Sequence, residues 1–243
     1  MGAGRMTGPA PPPSRRARLR QHLHARSLAL LAVLFAAIWL FVELAEEMAE
    51  GETQGIDQRV LLALRDPADP ASPLGPPWLE TIFRDITALG GLTVLGFVTL
   101  AVAGLLWFQS RPRSAGILLL AIIGGQIFSH VSKAIFDRPR PDLVPHGTLV
   151  TSASFPSGHS MMAAVVWLTL AAMVTRVQPD RVLRLYITAL AIAVTLAVGF
   201  SRVWLGVHWP TDVVAGWAAG AAWALICRAL AEVLDPLPNQ APG

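Results

Sequence analysis

Polar residues in this chain fall between long apolar stretches rather than through them. The first stretch, "SLALLAVLFAAIWLFVELA", covers 27–45; others lie at roughly 90–108, 115–132, 159–175, 185–200 and 212–231. Each is near the ~20 residues with which a helix crosses about 30 Å of hydrocarbon. The pattern predicts an all-α, polytopic membrane protein built as a six-transmembrane-helix bundle. Two segments of the 46–88 connection, "IDQRVLLALRD" (56–66) and "PPWLETIFRDITALGG" (76–91), also carry apolar residues at helical spacing. They predict short interfacial helices in the first outer loop, the second opening at Pro77 and Trp78. Such helices either pack over the bundle or line a lipid entrance.

The boundaries follow. Residues 1–26 are rich in Pro, Gly and Arg and predict a disordered basic cytoplasmic tail; 27–234 form the membrane domain, and 235–243 a disordered C-terminal tail. The first apolar run is long for a signal peptide and lacks a small-residue cleavage site after it, so it reads as a retained span.

Composition sharpens the class. Hydrophobic residues make up 53% and charged ones 14%, against about 25% charged in soluble domains, and mean hydropathy is +0.52. The net charge is +3 and the pI near 10.0. Nucleic-acid binding needs a basic patch on a folded face, whereas Arg5, Arg15, Arg16, Arg18, Arg20 and Arg26 sit in a tail against the first span. That tail marks the cytoplasmic side and makes the bilayer, not nucleic acid, the expected partner. "QSRPRS" (109–114) and "RVQPDRVLR" (176–184) are likewise Arg-bearing, while 46–88 carries Glu46, Glu47, Glu50, Glu52, Asp57, Asp66 and Asp69. Both termini are therefore expected in the cytoplasm, with 46–88, 133–158 and 201–211 outside, in a multi-pass protein of a bacterial-type plasma membrane. The single cysteine, Cys227, reads as a buried hydrophobe. No Walker loop, dinucleotide fingerprint or His-Glu-x-x-His occurs.

The unusual chemistry lies in two outer connections. In "KAIFDRPRPDLVPHGTLVTSASFPSGHS" (133–160), Lys133 is the one lysine of the chain, followed by Asp137, Arg138 and Arg140. Lysine at a span's end is commonly a snorkelling anchor. "FPSGHS" then opens a helix at which Ser157 can cap, Gly158 lets a ligand approach the backbone, and free N–H groups make an anion site. His159 can donate a proton, since imidazole titrates near neutral pH. In "FSRVWLGVHWPTDVVAGW" (200–217), Arg202 ends one span, and Pro210 starts the next helix. His208 precedes that helix and Asp212 lies in its first turn, where it can serve as a dipole device or accept the Nδ1 proton and free Nε2 as a nucleophile. Fixed positive charge about a helix N-terminus asks for an anion such as phosphate, and two histidines permit attack on phosphorus and protonation of a leaving oxygen.

These segments resemble the three-part signature of the type 2 phosphatidic acid phosphatase superfamily, in its membrane-bound lipid phosphatase branch. Lys-x6-Arg-Pro is met by Lys133, Arg140 and Pro141; Pro-Ser-Gly-His by Pro156 to His159; Ser-Arg-x5-His-x3-Asp by Ser201, Arg202, His208 and Asp212. The spacing selects Arg140 over Arg138. The resemblance implies a phosphatase in which His208 attacks phosphorus to give a phosphohistidine, Asp212 orients it, and His159 protonates the leaving group. It further implies that Lys133, Arg140, Arg202, Ser157 and the Gly158 N–H bind the phosphoryl oxygens of a lipid phosphate, with no cofactor. Arg138 is left between headgroup contact and support, and His22, His24 and His130 read as structural or incidental. Alternatives are headgroup transfer to another lipid, a lipid-phosphate transporter or binding protein, and a metal hydrolase built on His159, His208, Asp212 and His146. The surrounding cations disfavour a metal. Substrate choice among undecaprenyl diphosphate, phosphatidate and phosphatidylglycerophosphate, and the oligomeric state, are not legible at this level.

Overall fold

The computed structural model describes residues 15–146 and 152–235, with side chains from 27 onward. Eight helices account for nearly all of it: α1 (Arg15–Glu50), α2 (Gln54–Leu62), α3 (Pro77–Ala88), α4 (Leu92–Phe108), α5 (Pro112–Phe136), α6 (Gly158–Val177), α7 (Arg181–Trp204) and α8 (Pro210–Leu234). Between α2 and α3 lies a two-stranded antiparallel ladder, β1 (Arg65–Asp66) with β2 (Asp69–Pro73), in which Arg65 faces Pro73.

Five helices are long and apolar enough to span a membrane: α1 from Ser27, α5, α6, α7 and α8. The sixth span is a bent pair, α3 and α4, meeting at 42°. At 17 residues α4 is only about 25 Å long, short of the hydrocarbon thickness, so it completes its path through α3. Here the structure refines the expectation of a free-standing interfacial helix at 76–91.

Two further expectations change. Residues 15–26 are helical and continuous with the first span, not disordered. Pro and Gly are confined to the segment up to Pro13, and the Arg, Leu and Ala that follow are strong helix formers. Residues 1–14 and 236–243 lie outside the described residues. The helix expected over 56–66 stops at Leu62 because Asp66 precedes Pro67, a position biased away from helical backbone. The Asp66 and Asp69 carboxylates accept the backbone N–H of Ala68 and Ala71 and shape the turn instead.

α6 is the hub, touching α4, α5, α7 and α8, while α1 packs along α8. Leu95, Leu118, Ile122, Met162 and Val166 join α4, α5 and α6. Ile117, Ala121, Met161, Val165, Ala219 and the buried free Cys227 join α5, α6 and α8. The α6–α8 crossing is tight because α8 presents Gly216 and Gly220 one turn apart. A Cβ at Gly220 would fall 2.4 Å from the Met161 carbonyl oxygen, and one at Gly216 2.7 Å from that of Ser157. Small residues at this spacing let helix backbones meet in a membrane. Large apolar side chains such as Phe97, Leu100 and Phe108 are exposed, as a lipid-facing perimeter requires. At the end remote from the 137–157 loop, Ser114 donates to the Asp235 carboxylate and Arg176 Nη2 to the Asp235 carbonyl at 2.7 Å, tying α5, α6 and α8 together.

Gly220→Val places branched carbon against main chain that cannot yield, and overpacking of this kind costs about 1–3 kcal/mol. A detergent thermal melt is expected to drop by several degrees. Gly116→Ala, with open space around its Cβ position, should not lower it; equal melts for the two variants would contradict the close crossing.

Candidate active site

The bundle brings three segments to one end. Lys133 lies in the last turn of α5, Ser157, Gly158 and His159 open α6, and Arg202 lies in the last turn of α7. His208 occupies the α7–α8 turn and Asp212 the first turn of α8. The Ser157 N–H donates to the Asp212 carbonyl at 2.9 Å, so the two helix N-termini abut. Gly206, at φ 73°, turns the chain toward His208; a Cβ there would strike Arg65 Nη2 at 2.7 Å. That guanidinium is buried and donates to the Trp204 carbonyl at 3.0 Å, closing the C-terminus of α7.

Around these residues lies a cavity of about 510 Å³. Lys133, Arg140, Gly158, His159, Arg202 and His208 give it a polar lining, and Leu92, Leu95, Ile122 and Met162 an apolar one. Thr87 and Gly90, from the bend between α3 and α4, form part of the wall, and that bend packs against His159. Ser157 and Asp212 stand behind the wall rather than on it. Ser157 is fully buried, makes no capping bond, and accepts the Ser160 hydroxyl at 2.9 Å.

The cations are held by neutral groups. Lys133 Nζ donates to the Ala153 carbonyl. Arg140 donates to the Ser152 carbonyl at 2.8 Å, the Val207 carbonyl at 2.7 Å and the Ser152 hydroxyl at 3.2 Å. Arg202, only 3% exposed, donates to Thr87 Oγ1 at 3.0 Å, and its Nε has no partner. Among the described residues none of the three forms an ion pair, and no carboxylate lines the cavity.

His208 is oriented from both sides. Arg140 Nη1 lies 3.2 Å from Nε2 and can only donate, so Nε2 carries the lone pair and Nδ1 the proton. Nδ1 faces Ser154 Oγ at 3.3 Å and Asp212 Oδ2 at 3.4 Å. The Ser154 hydroxyl donates to Asp212 Oδ2, which also accepts the Trp209 N–H at 2.9 Å. Burial, and then the charges of Arg202, Arg140 and Lys133, push the His208 pKa well below its ordinary 6.5. The imidazole is thus a neutral base with its lone pair at the cationic end of a cavity.

Arg138 takes a supporting place. Its Nη1 donates to Asp212 Oδ1 at 2.6 Å and its Nη2 to Asp57 Oδ2 at 2.7 Å, and the guanidinium lies 5.6 Å from the Trp209 ring centre. Asp57, on α2, also accepts the Thr211 N–H at 2.9 Å and hydroxyl at 2.7 Å, so it caps α8 from another element. Sequence reasoning did not single out Asp57, Ser154, Ser152 or Thr87. Asp57 does leave a trace: it shares a helical face with Leu61 and Leu64, both packed in the core. His146 donates to the Pro141 carbonyl at 2.6 Å, turned into its own loop. Among the described residues no group of three or more His, Cys, Asp or Glu is placed to hold a metal. His130, expected to be incidental, lines the cavity.

The chain was compared with known proteins. The family model of the PAP2 superfamily matches residues 114–234. Phosphatidylglycerophosphatase B of Bacillus subtilis (strain 168) is 38% identical over 151 residues, 59% of this chain and 71% of the relative. Undecaprenyl-diphosphatase of Sulfolobus acidocaldarius is 29% identical over 167 residues, 64% of this chain and 76% of that one. The crystal structure of a transmembrane PAP2-type phosphatidylglycerolphosphate phosphatase from Bacillus subtilis superposes with a TM-score of 0.74 at 25% identity, covering 84% of this chain and 98% of that one. Motifs, bundle and relatives agree: the chain belongs to the PAP2 superfamily and is a membrane-embedded phosphatase.

Proposed function

We propose that this protein hydrolyses the phosphate monoester or diphosphate of a membrane lipid through a phosphohistidine on His208. One observation carries the reading: three cations without a counter-anion surround the lone pair of a neutral histidine, in a cavity that continues into apolar bundle. Phosphoryl oxygens supply the missing negative charge, and the apolar end takes the start of the lipid chain. The relatives named for phosphatidylglycerophosphate and undecaprenyl diphosphate support a lipid phosphate as the substrate class.

In this mechanism Lys133, Arg140, Arg202 and the Gly158 N–H hold the phosphoryl oxygens. Nε2 of His208 attacks phosphorus as the bond to the lipid oxygen breaks, and His159 gives that oxygen its proton. The phosphorylated imidazole is cationic, still protonated at Nδ1, and the Asp212 carboxylate opposite offsets that charge. Water, deprotonated by His159, then displaces His208 and releases phosphate. The cationic lining supports a reaction without a metal, because a divalent ion would meet Lys133, Arg140 and Arg202 rather than carboxylates. The Arg-bearing connections 109–114 and 176–184 lie at the opposite end of α5, α6 and α7 from the cavity. The positive-inside bias then supports cytoplasmic termini and an extracytoplasmic site in the plasma membrane.

Purified wild type in excess chelator should release phosphate from at least one of undecaprenyl diphosphate, phosphatidate and phosphatidylglycerophosphate, and His208→Ala should release none. Activity that vanishes with chelator and returns with a divalent ion would overturn the metal-free mechanism. His159→Ala should lose far more on a lipid phosphate than on an activated aryl phosphate, whose leaving group needs no proton.

The pH profile follows from His208. Its depressed pKa keeps the base free on acidification, so the acid limb of kcat/KM should lie below 6.5. Arg140→Gln removes a like charge, favours the protonated imidazole, and should move that limb upward with the same substrate. A limb that stays put would show that it belongs to another group.

Asp57→Ala leaves Arg138 paired to Asp212 alone and strips the cap from Thr211. Breaking a buried ion pair from one side costs on the order of 3–5 kcal/mol. Glu80→Ala removes an exposed pair with Arg84 and should cost under about 1 kcal/mol. Thermal melts of the two variants in one detergent test the contrast.

A further inference from the structure

The cavity has a polar feature that the mechanism does not use. On α5, Gln126 and His130 lie one turn apart and on the same face as Lys133, and all three line the cavity. Lys133 serves the phosphate end; Gln126 sits about 10 Å lower along the helix axis, level with apolar wall residues. His130 Nδ1 lies 2.9 Å from the Gln126 carbonyl oxygen, which can only accept, so Nδ1 carries the proton. The Gln126 amide lies 3.3 Å from that same nitrogen. That proton is already given to the backbone carbonyl, so the amide cannot donate to Nδ1, and both of its N–H groups remain for something in the cavity. A glutamine in the middle of a membrane span is costly unless a partner meets it, and polar groups there are functional by default.

We propose that Gln126 selects lipid phosphates that carry a hydrogen-bond acceptor just beyond the phosphate, namely the ester carbonyls of acylglycerol phosphates, over polyprenyl phosphates. The inference rests on the lipid phosphatase reading above. With phosphorus held at Lys133, Arg140 and Arg202, the ester groups of an acylglycerol phosphate follow within one three-carbon unit and lie along the stripe from His130 to Gln126. A polyprenyl chain is hydrocarbon from its first carbon and would bury the amide against methylenes, leaving its donors unmatched. Gln126 is thus a specificity-determining residue, and His130, its Nδ1 proton held by the backbone, is its neighbour on the same wall. Neither touches the reacting atoms.

The test is a cycle in the full-length protein in detergent. kcat/KM is measured for wild type, Gln126→Leu and His130→Leu on an ester-linked phosphatidate, its ether-linked analogue of equal chain length, and a polyprenyl monophosphate. Wild type should prefer the ester over the ether roughly three- to tenfold, the value of one neutral hydrogen bond. Gln126→Leu should abolish that preference by lowering the ester alone, chiefly through KM, and should leave the polyprenyl substrate unchanged or improved. His130→Leu should leave the preference in place. Equal losses on all three lipids, or an ester preference that survives Gln126→Leu, would overturn the selection. Absence of phosphate release from every lipid by wild type would instead overturn the lipid phosphatase reading, and the selection with it.

Discussion

Arg138 bridges two carboxylates that are both fully buried, Asp57 on α2 and Asp212 on α8. Asp212 divides its oxygens: Oδ1 accepts from Arg138 at 2.6 Å while Oδ2 faces His208 Nδ1 at 3.4 Å, and Asp57 gives Arg138 a second acid at 2.7 Å. The same contacts also fix geometry: Thr53 and Thr211 bind the bridge, and the Thr211 N–H ties the start of α8 to α2. A buried pair of this kind is weak evidence for stability in itself, since dehydrating the charges opposes their attraction. What it supplies is register between α2 and the turn that carries His208.

The opposite electrostatic choice governs the cavity side. Lys133, Arg140 and Arg202 donate to the carbonyls of Ala153, Ser152 and Val207 and to the Thr87 hydroxyl. Dipoles orient the cations without discharging them. In the mechanism proposed above, an entering phosphoryl group meets donors already aimed, so little reorganisation accompanies the reaction. The unpartnered Nε of Arg202 is a local loss of stability that an anion can recover. Carboxylates on this wall would have stabilised the empty protein and competed with substrate.

What could be seen in the sequence depended on the range of the interaction. Lys133, His159, Arg202 and Asp212 sit at helix ends, and Arg140 and His208 in the connections just beyond them, so their convergence at one end followed from the number of spans. Asp57 bonds Thr211 across 154 positions, and no local pattern announces that partnership; its only trace is an acid on an apolar stripe. Ser154 and Ser152 lay within a loop whose serines looked interchangeable. Arg138 was legible as a charge but not as a role, because its role is set by Asp57. The start of α1 was obscured because composition averaged over 1–26 mixes a Pro-rich segment with strong helix formers.

The bend between α3 and α4 joins the fold to the chemistry. A straight helix over 77–108 would span the bilayer comfortably, yet the chain breaks at Leu89 to Gly91 and turns by 42°. The break brings Thr87 under Arg202 and lays the Gly90–Gly91 backbone against His159. Trp167 Nε1, from α6, donates to the freed Leu89 carbonyl at 3.1 Å, so irregular backbone is satisfied by protein and not by lipid. Leu92 and Leu95, at the start of α4, line the same cavity as Lys133, Arg140 and Arg202. The bent span thus sets apolar and cationic walls in one cavity, as the substrate proposed above, a phosphate carried on a lipid chain, requires.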